Sequence, residues 1–451
     1  MEENKNPVQA IVKLRDLINT ELIIPPYQRP YKWQSNNVIH LLDDIFENVI
    51  QNKRIYRIGN IILHEDKEKK QNIVDGQQRL TTISILLNCL DISFSGLLLK
   101  QKFKHKISKD NIFYNKRIID NWSSKIIDKN FVKNTILEKC EFVLFTVYKE
   151  DEAFQLFDSQ NARGQSLKPY DLLKAFHLRE MEFETEEEKA ACVKRWEKSI
   201  DNGSLKTILG NHLFRIRKWS KNDNKYNFTK DEIDEFKGIS LYKNQEYPYE
   251  KALRMLDGLV ENAQKDKLLM NLDVAQTYPF SITMTIINGK RFFEYVDYYI
   301  SLKDNLVKND TTDFYRFHQF YCLGNSDYKP EKEPNEYIGA GRSGDEKVKN
   351  LYENIVLSFV DKFGEITDFN VYFEAFYKIV YLIRCKYKSI RMETILNSDV
   401  KKIVREIGDA VMPEQLNKYQ FRKNKIDELD FVKGIEPIKN FISSKEEENG
   451  R

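Results

Sequence analysis

The spacing of apolar residues marks alternating helices and strands over about the first third of the chain and mostly helices after it. Val8, Ile11, Val12, Leu14, Leu17 and Ile18 recur at near-helical intervals, so residues 7–20 read as a short amphipathic helix. Leu22, Ile23 and Ile24 predict a strand that Pro25 and Pro26 end. Ser35 is the expected N-cap of a helix carrying Val38, Leu41, Leu42, Ile45 and Val49 on one face. Residues 56–63 predict a strand, the charged run 64–70 a hairpin tip, and Ile73 and Val74 the end of a second, buried strand. From Gln77 onward, Leu80, Ile83, Leu87 and Leu90 share a helical face.

Residues 96–139 read as mostly helical and basic. Residues 141–148 are dense in β-branched and aromatic side chains and predict a strand. A helix from Asp151 should end near Asn161, with Gly164 as its stop and Pro169 in the first turn of the next helix. Six glutamates in 180–188 suggest a solvated boundary, dividing the chain into an N-terminal domain, 1–180, and a C-terminal one, 181–451. Past it, apolar spacings of three and four predict helices over 251–260, 291–300, 346–359 and 372–387. The expected class is α+β: a small mixed domain followed by a mostly helical region.

The junction at 73–79 concentrates the candidate chemistry. A strand, a tight Asp75-Gly76 turn and a helix aim free N–H groups and the positive end of a helix dipole at one point. Gly76 permits close approach to the backbone, and Arg79 can fork onto phosphate oxygens. An ordinary turn with an Asp N-cap and a surface arginine is the competing reading. Tyr27 and Arg29 suit a nucleotide, as a stacking ring and a phosphate ligand on a proline-stiffened loop, whereas Tyr31 and Trp33 read as core anchors. Asn161, Arg163 and Gly164 put polar groups at a helix break, suited to an anion or a ribose hydroxyl or simply to capping a corner.

Net charge, +3 over 451 residues, does not itself argue for nucleic acid. Its distribution says more: residues 100–139 hold 11 Lys or Arg against 4 Asp or Glu, interleaved with Phe103, Phe113, Tyr114 and Trp122. Lys102, Lys104, Lys106, Lys116 and Arg117 are the candidate phosphate contacts, with a solvated helix face as the alternative. Five scattered cysteines suggest neither disulfides nor zinc and fit a cytoplasmic protein. No apolar run approaches a membrane span. The literal G-x-G-x-x-G at 339–344 follows a Lys-, Glu- and Pro-rich stretch that cannot be a buried strand, so it reads as a loop, with Arg342 a lesser candidate for a backbone phosphate. No P-loop motif occurs.

Three ordered motifs carry a family resemblance: Ile24-Pro25-Pro26-Tyr27-Gln28-Arg29-Pro30-Tyr31-Lys32-Trp33; Asp75-Gly76-Gln77-Gln78-Arg79 with Leu80-Thr81-Thr82; and Asn161-Ala162-Arg163-Gly164-Gln165-Ser166-Leu167 with Asp171-Leu172-Leu173-Lys174. With them the chain resembles the GmrS-like family, the nucleotide-handling half of GmrSD-type (type IV) restriction systems and of related SspE defence proteins. The resemblance implies a ParB/sulfiredoxin-like NTPase domain. It implies that Asp75 holds Mg²⁺ or a water, that Gly76 and Gln77 present N–H groups to phosphates, that Gln78 orients an attacking water, and that Arg79 stabilises phosphoryl charge. Tyr27, Gln28, Arg29, Asn161, Arg163 and Gly164 complete the expected nucleotide site. GTP, ATP, UTP and CTP all remain open as the nucleotide.

The implied role is antiphage defence through recognition of modified or foreign DNA. Full-length relatives also carry an HNH nuclease, whose chemistry needs a histidine base. No histidine follows His318, so a separate nuclease subunit is expected. The alternative is a non-catalytic, nucleotide-switched DNA-binding or scaffolding protein of the ParB-like class. Oligomeric state is open, a homo-oligomer included.

Overall fold

In a computed structural model, which describes residues 6–25, 28, 30–66, 68–92, 98, 101, 103, 106–149, 168–242, 247–265, 278–419 and 433–443, the chain forms two compact units. The first is Met1–Ala175 with Lys189–Lys194; the second is Phe176–Glu188 with Arg195–Arg451.

The first unit is built on a five-stranded mixed sheet, with β1 (Val8–Lys13), β2 (Leu22–Ile23), β3 (Tyr56–Glu65), β4 (Gln71–Asp75) and β5 (Cys140–Val147) in the order β1-β5-β3-β4-β2. β3 is central, parallel to β5 and antiparallel to β4, while β1 is antiparallel to β5 and β2 parallel to β4. Strand alternation splits the apolar side chains between the two faces. Ile61, Leu63, Ile73 and Phe142 join the main core with residues of α2 (Ser35–Ile45), α3 (Gln77–Cys89), α4 (Lys106–Ser124) and α5 (Lys129–Lys139). Ile62, Val74 and Val147 form a smaller cluster.

Helix α3 is buried nearly all round, through Leu80, Thr81, Thr82, Ile83, Ile85, Leu86 and Leu87, so it is the helix about which the unit packs. The stripe expected on α2 is buried as read, and its line runs on through a wider π turn, Phe46–Gln51, that buries Val49.

Two local expectations differ. Residues 7–20 hold strand β1 and then only a one-turn helix, α1 (Leu14–Leu17). Val8 and Ile11 are about half exposed, at 50% and 54%. The β-branched run forms an edge ladder with β5 rather than a helix face. Ser35 is the first residue of α2 and Gln34 takes the cap position, its N–H donating to Asn37 Oδ1 at 3.1 Å.

The second unit is mostly helical, and together the two units make the α+β class. Its helices include Pro248–Lys265, Lys290–Lys308, Asp313–Tyr321, Ser343–Phe363, Phe369–Lys386, Lys402–Asp409 and Glu436–Ser443. Ser343–Phe363 and Phe369–Lys386 form the buried centre. Around it the rings of Phe317, Tyr321, Tyr352, Phe373, Tyr377, Tyr381 and Phe441 stack and meet edge to face, which is where many of the chain's aromatics are used. The G-x-G-x-x-G stretch is a turn running into the helix from Ser343, and Arg342 donates to the carbonyl of Lys433 at 2.8 Å.

Candidate functional site

Strand β4 ends at Asp75 and α3 begins at Gln77, with Gly76 between them at φ +93°, a conformation glycine adopts without strain. A side chain on Gly76 would also press within 3.1 Å of Ile61 Cγ1 and 3.3 Å of the Asn60 carbonyl oxygen on β3. Both demands select glycine. No side chain caps the helix start, so Asp75 is not the N-cap of α3, and the first backbone N–H groups there have no side-chain partner, with Gly76 and Gln77 themselves buried.

Arg79, one turn in, folds back over β3. Its Nη1 donates to the Asn60 carbonyl at 2.7 Å, and Nη2 lies 3.8 Å from Asp75 Oδ2. The two side chains keep 28% and 19% of their exposure, so the pair is accessible while one guanidinium nitrogen is anchored. The Asp75 carboxylate and the Arg79 guanidinium are thus neighbours, and Asp75 directly precedes the Gly76 turn into α3. Such a combination can hold an anion by its main-chain and guanidinium donors, with Asp75 beside them as the cation ligand.

Gln78 has a different employment from orienting water. Its Oε1 accepts from Lys32 N at 2.8 Å and Trp33 N at 3.2 Å, and its Nε2 donates to the Pro30 carbonyl at 3.1 Å. The amide is a clamp on the 30–33 loop. Gln28 makes a second clamp, donating from Nε2 to the carbonyls of Ile73 and Val74 at the end of β4, at 3.0 and 2.9 Å. Gln77 is buried.

Tyr31 is fully buried as a core anchor, and its hydroxyl sits 2.8 Å from Thr82 Oγ1 and accepts from Asn115 Nδ2 at 2.9 Å. Burial pushes the Tyr31 phenol above its ordinary pKa, against the opposing hydrogen bonds of Thr82 and Asn115. Ser108, Asn111 and Asn115 of α4 bind the backbone of Tyr31 and Trp33. The first two motifs are thus interlocked through Gln28, Gln78, Tyr31 and Thr82. Trp33 packs against the main core as expected.

Tyr27, Arg29, Asn161, Arg163 and Gly164, with Lys102 and Lys104, lie outside the described residues. Lys106 and Arg117 are exposed on α4, and Lys116 pairs with Asp120 at 2.8 Å. Phe113 and Tyr114, 61% and 60% exposed, stand with them on the outer face. Trp122 turns inward onto the core.

Gly59, Asn60, Ser108, Asn111 and Asn115 escaped the sequence reading. Gly59 alone carried a local signal, a glycine inside a strand pattern, which marks a bulge or close approach. Among the described residues no group of three or more His, Cys, Asp or Glu is arranged to hold a metal ion. Asp75 by itself suits Mg²⁺, which keeps most of its waters and commonly binds through one or two carboxylates together with a substrate's phosphates. No described helix is long and apolar enough to cross a membrane.

Comparison with known families adds two matches. Residues 11–178 match the GmrSD restriction endonuclease N-terminal domain, so this part of the chain is similar to a domain of restriction systems. No curated protein matches the chain. Residues 188–434, more than half of the sequence, match a family of unknown function, DUF7834, and the chain belongs to that family.

Proposed function

We propose that the chain is an NTP-binding and NTP-hydrolysing sensor subunit of a bacterial, restriction-like antiphage system that responds to modified or foreign DNA, with cleavage supplied by a separate nuclease. The observation that carries this reading is the β4–Gly76–α3 junction: an uncapped helix start with Asp75 and Arg79 3.8 Å apart beside it. The match of residues 11–178 to the GmrSD N-terminal domain supports the biological setting.

In this reading the backbone N–H groups at 76–77 and the Arg79 guanidinium bind the triphosphate, and Asp75 takes the Mg²⁺ that accompanies it. When bound, the ion neutralises phosphate charge. Gln78 and Gln28 act one step back, tying Gln28 to the end of β4 and residues 30–33 to the start of α3. The exposed α4 face, with Lys106, Lys116, Arg117, Phe113 and Tyr114, is the proposed contact for DNA phosphates.

One specific observation favours a second reading. Both ends of the Gln78 amide are committed to backbone, which removes the residue expected to orient water. A site that binds nucleotide without turning it over would be a conformational latch of the ParB-like class. Phosphate release from each of the four NTPs with Mg²⁺, with and without modified DNA, separates the two. Turnover lost in Arg79→Ala supports the hydrolase. Tight binding without turnover supports the latch, and neither binding nor turnover refutes both.

A further inference from the structure

The wall opposite the β4–α3 junction is backbone of β3, and its shape depends on Gly59. There β3 slips register against β5 between Arg57 and Gly59, and Gly59 adopts φ +146°. A Cβ at this position would lie 2.3 Å from Arg79 Nη1 and 3.1 Å from Arg79 Cζ, far inside van der Waals contact. The guanidinium therefore occupies the volume that any other residue's side chain would fill. The next carbonyl, that of Asn60, is the one Nη1 binds at 2.7 Å, and it is also the atom 3.3 Å from where a Cβ on Gly76 would sit. One short length of β3 thus touches both the turn glycine and the arginine of the junction.

We propose that Gly59 is a positioning residue for Arg79. By offering bare backbone, it lets the Asn60 carbonyl hold one guanidinium nitrogen and so fixes where the remaining N–H groups meet a bound phosphate. An arginine free in solution must surrender rotamer entropy on binding an anion, and one already anchored surrenders less. The inference rests on the nucleotide-site reading for its consequence, though not for its geometry.

The test is a double-mutant cycle on the full chain with Gly59→Ala, Arg79→Ala and the double variant. Nucleotide affinity is measured with ATP, GTP, CTP and UTP in the presence of Mg²⁺. Guanidinium rotation at Arg79 is followed by nitrogen NMR in the absence of nucleotide. Gly59→Ala should weaken binding at least tenfold, as much as Arg79→Ala, with no further loss in the double variant. Arg79 rotation, slowed in the wild type, should become fast in Gly59→Ala. Losses that multiply, affinity within twofold of wild type, or unchanged Arg79 rotation would overturn the proposal. If Gly59→Ala fails to fold, recovery of folding in the double variant supports the clash with Arg79, and failure of both variants overturns it in favour of a backbone requirement. A wild type that binds no nucleotide refutes the proposed function, while the Arg79 rotation still decides the role of Gly59.

Discussion

Asp75 and Arg79 are separated by one helical turn, and their partnership is local, yet what fixes their placement is long-range: the Asn60 carbonyl and the two glycines that let β3 approach. Arg79→Ala removes the proposed phosphate donor and Asp75→Ala the proposed cation ligand, and neither empties the core. Each should abolish nucleotide-dependent activity while the far-UV circular dichroism stays at wild type. Gln78→Ala should behave differently. Truncating the amide removes its hydrogen bonds to the Pro30 carbonyl and to the Lys32 and Trp33 N–H groups, costing about 1 kcal/mol in a denaturant melt. Loss of activity with unchanged stability in Gln78→Ala would instead restore a direct role in chemistry.

Between elements, α2 was legible because it carries a clean apolar period and buries it along one face, and β3, β4 and α3 because each is dense in apolar residues. Strand β1 was not, because an edge strand with Val8 and Ile11 half exposed shows no consistent period, and its partner β5 lies more than a hundred residues away. The motif residues could be named from sequence, though their division of labour could not. Whether a glutamine faces a ligand or holds a loop depends on where residues 30–33 and 108–115 come to rest. Asn115, which reaches both the Tyr31 hydroxyl and the Trp33 carbonyl, gave no local sign of it. The α4 face carries its own expectation. If Lys106 and Arg117 contact DNA phosphates, affinity should fall steeply with salt, and each alanine substitution should lower the logarithmic salt slope by about 1. A flat salt response would make this a solvated face.

The whole molecule joins a domain similar to a restriction-system component to a helical unit of a family whose function is unknown. That second unit keeps charged groups in its interior. Glu353 faces His318 Nε2 at 2.9 Å and His212 Nε2 at 3.5 Å, and His212 Nδ1 meets Asn354 Oδ1 at 2.7 Å. Burial brings His212 down to about 4, against the pull of Glu353. A histidine lowered in the folded state contributes stability that is present above its ordinary pKa near 6.5 and lost as pH falls toward 4. Asp361 works the other way. Burial raises it to about 6, against the hydrogen bonds from Tyr299 and Ile282, so its contribution is present below the ordinary carboxylate pKa and lost as pH rises through 6. The denaturant midpoint of wild type should therefore fall less between pH 6.5 and 4 than that of Asp361→Asn, in which His212 is left unopposed. Equal pH profiles for the two proteins would count against the Asp361 assignment, and a midpoint that does not fall with pH in Asp361→Asn would count against that of His212.

Equilibrium binding of Mg²⁺ with each of the four NTPs to wild type and Arg79→Ala is the most direct trial of the junction as a triphosphate site. At least one nucleotide should bind the wild type at micromolar levels and lose tenfold or more in the variant. Equal affinity in the two proteins, or no binding to either, would contradict it.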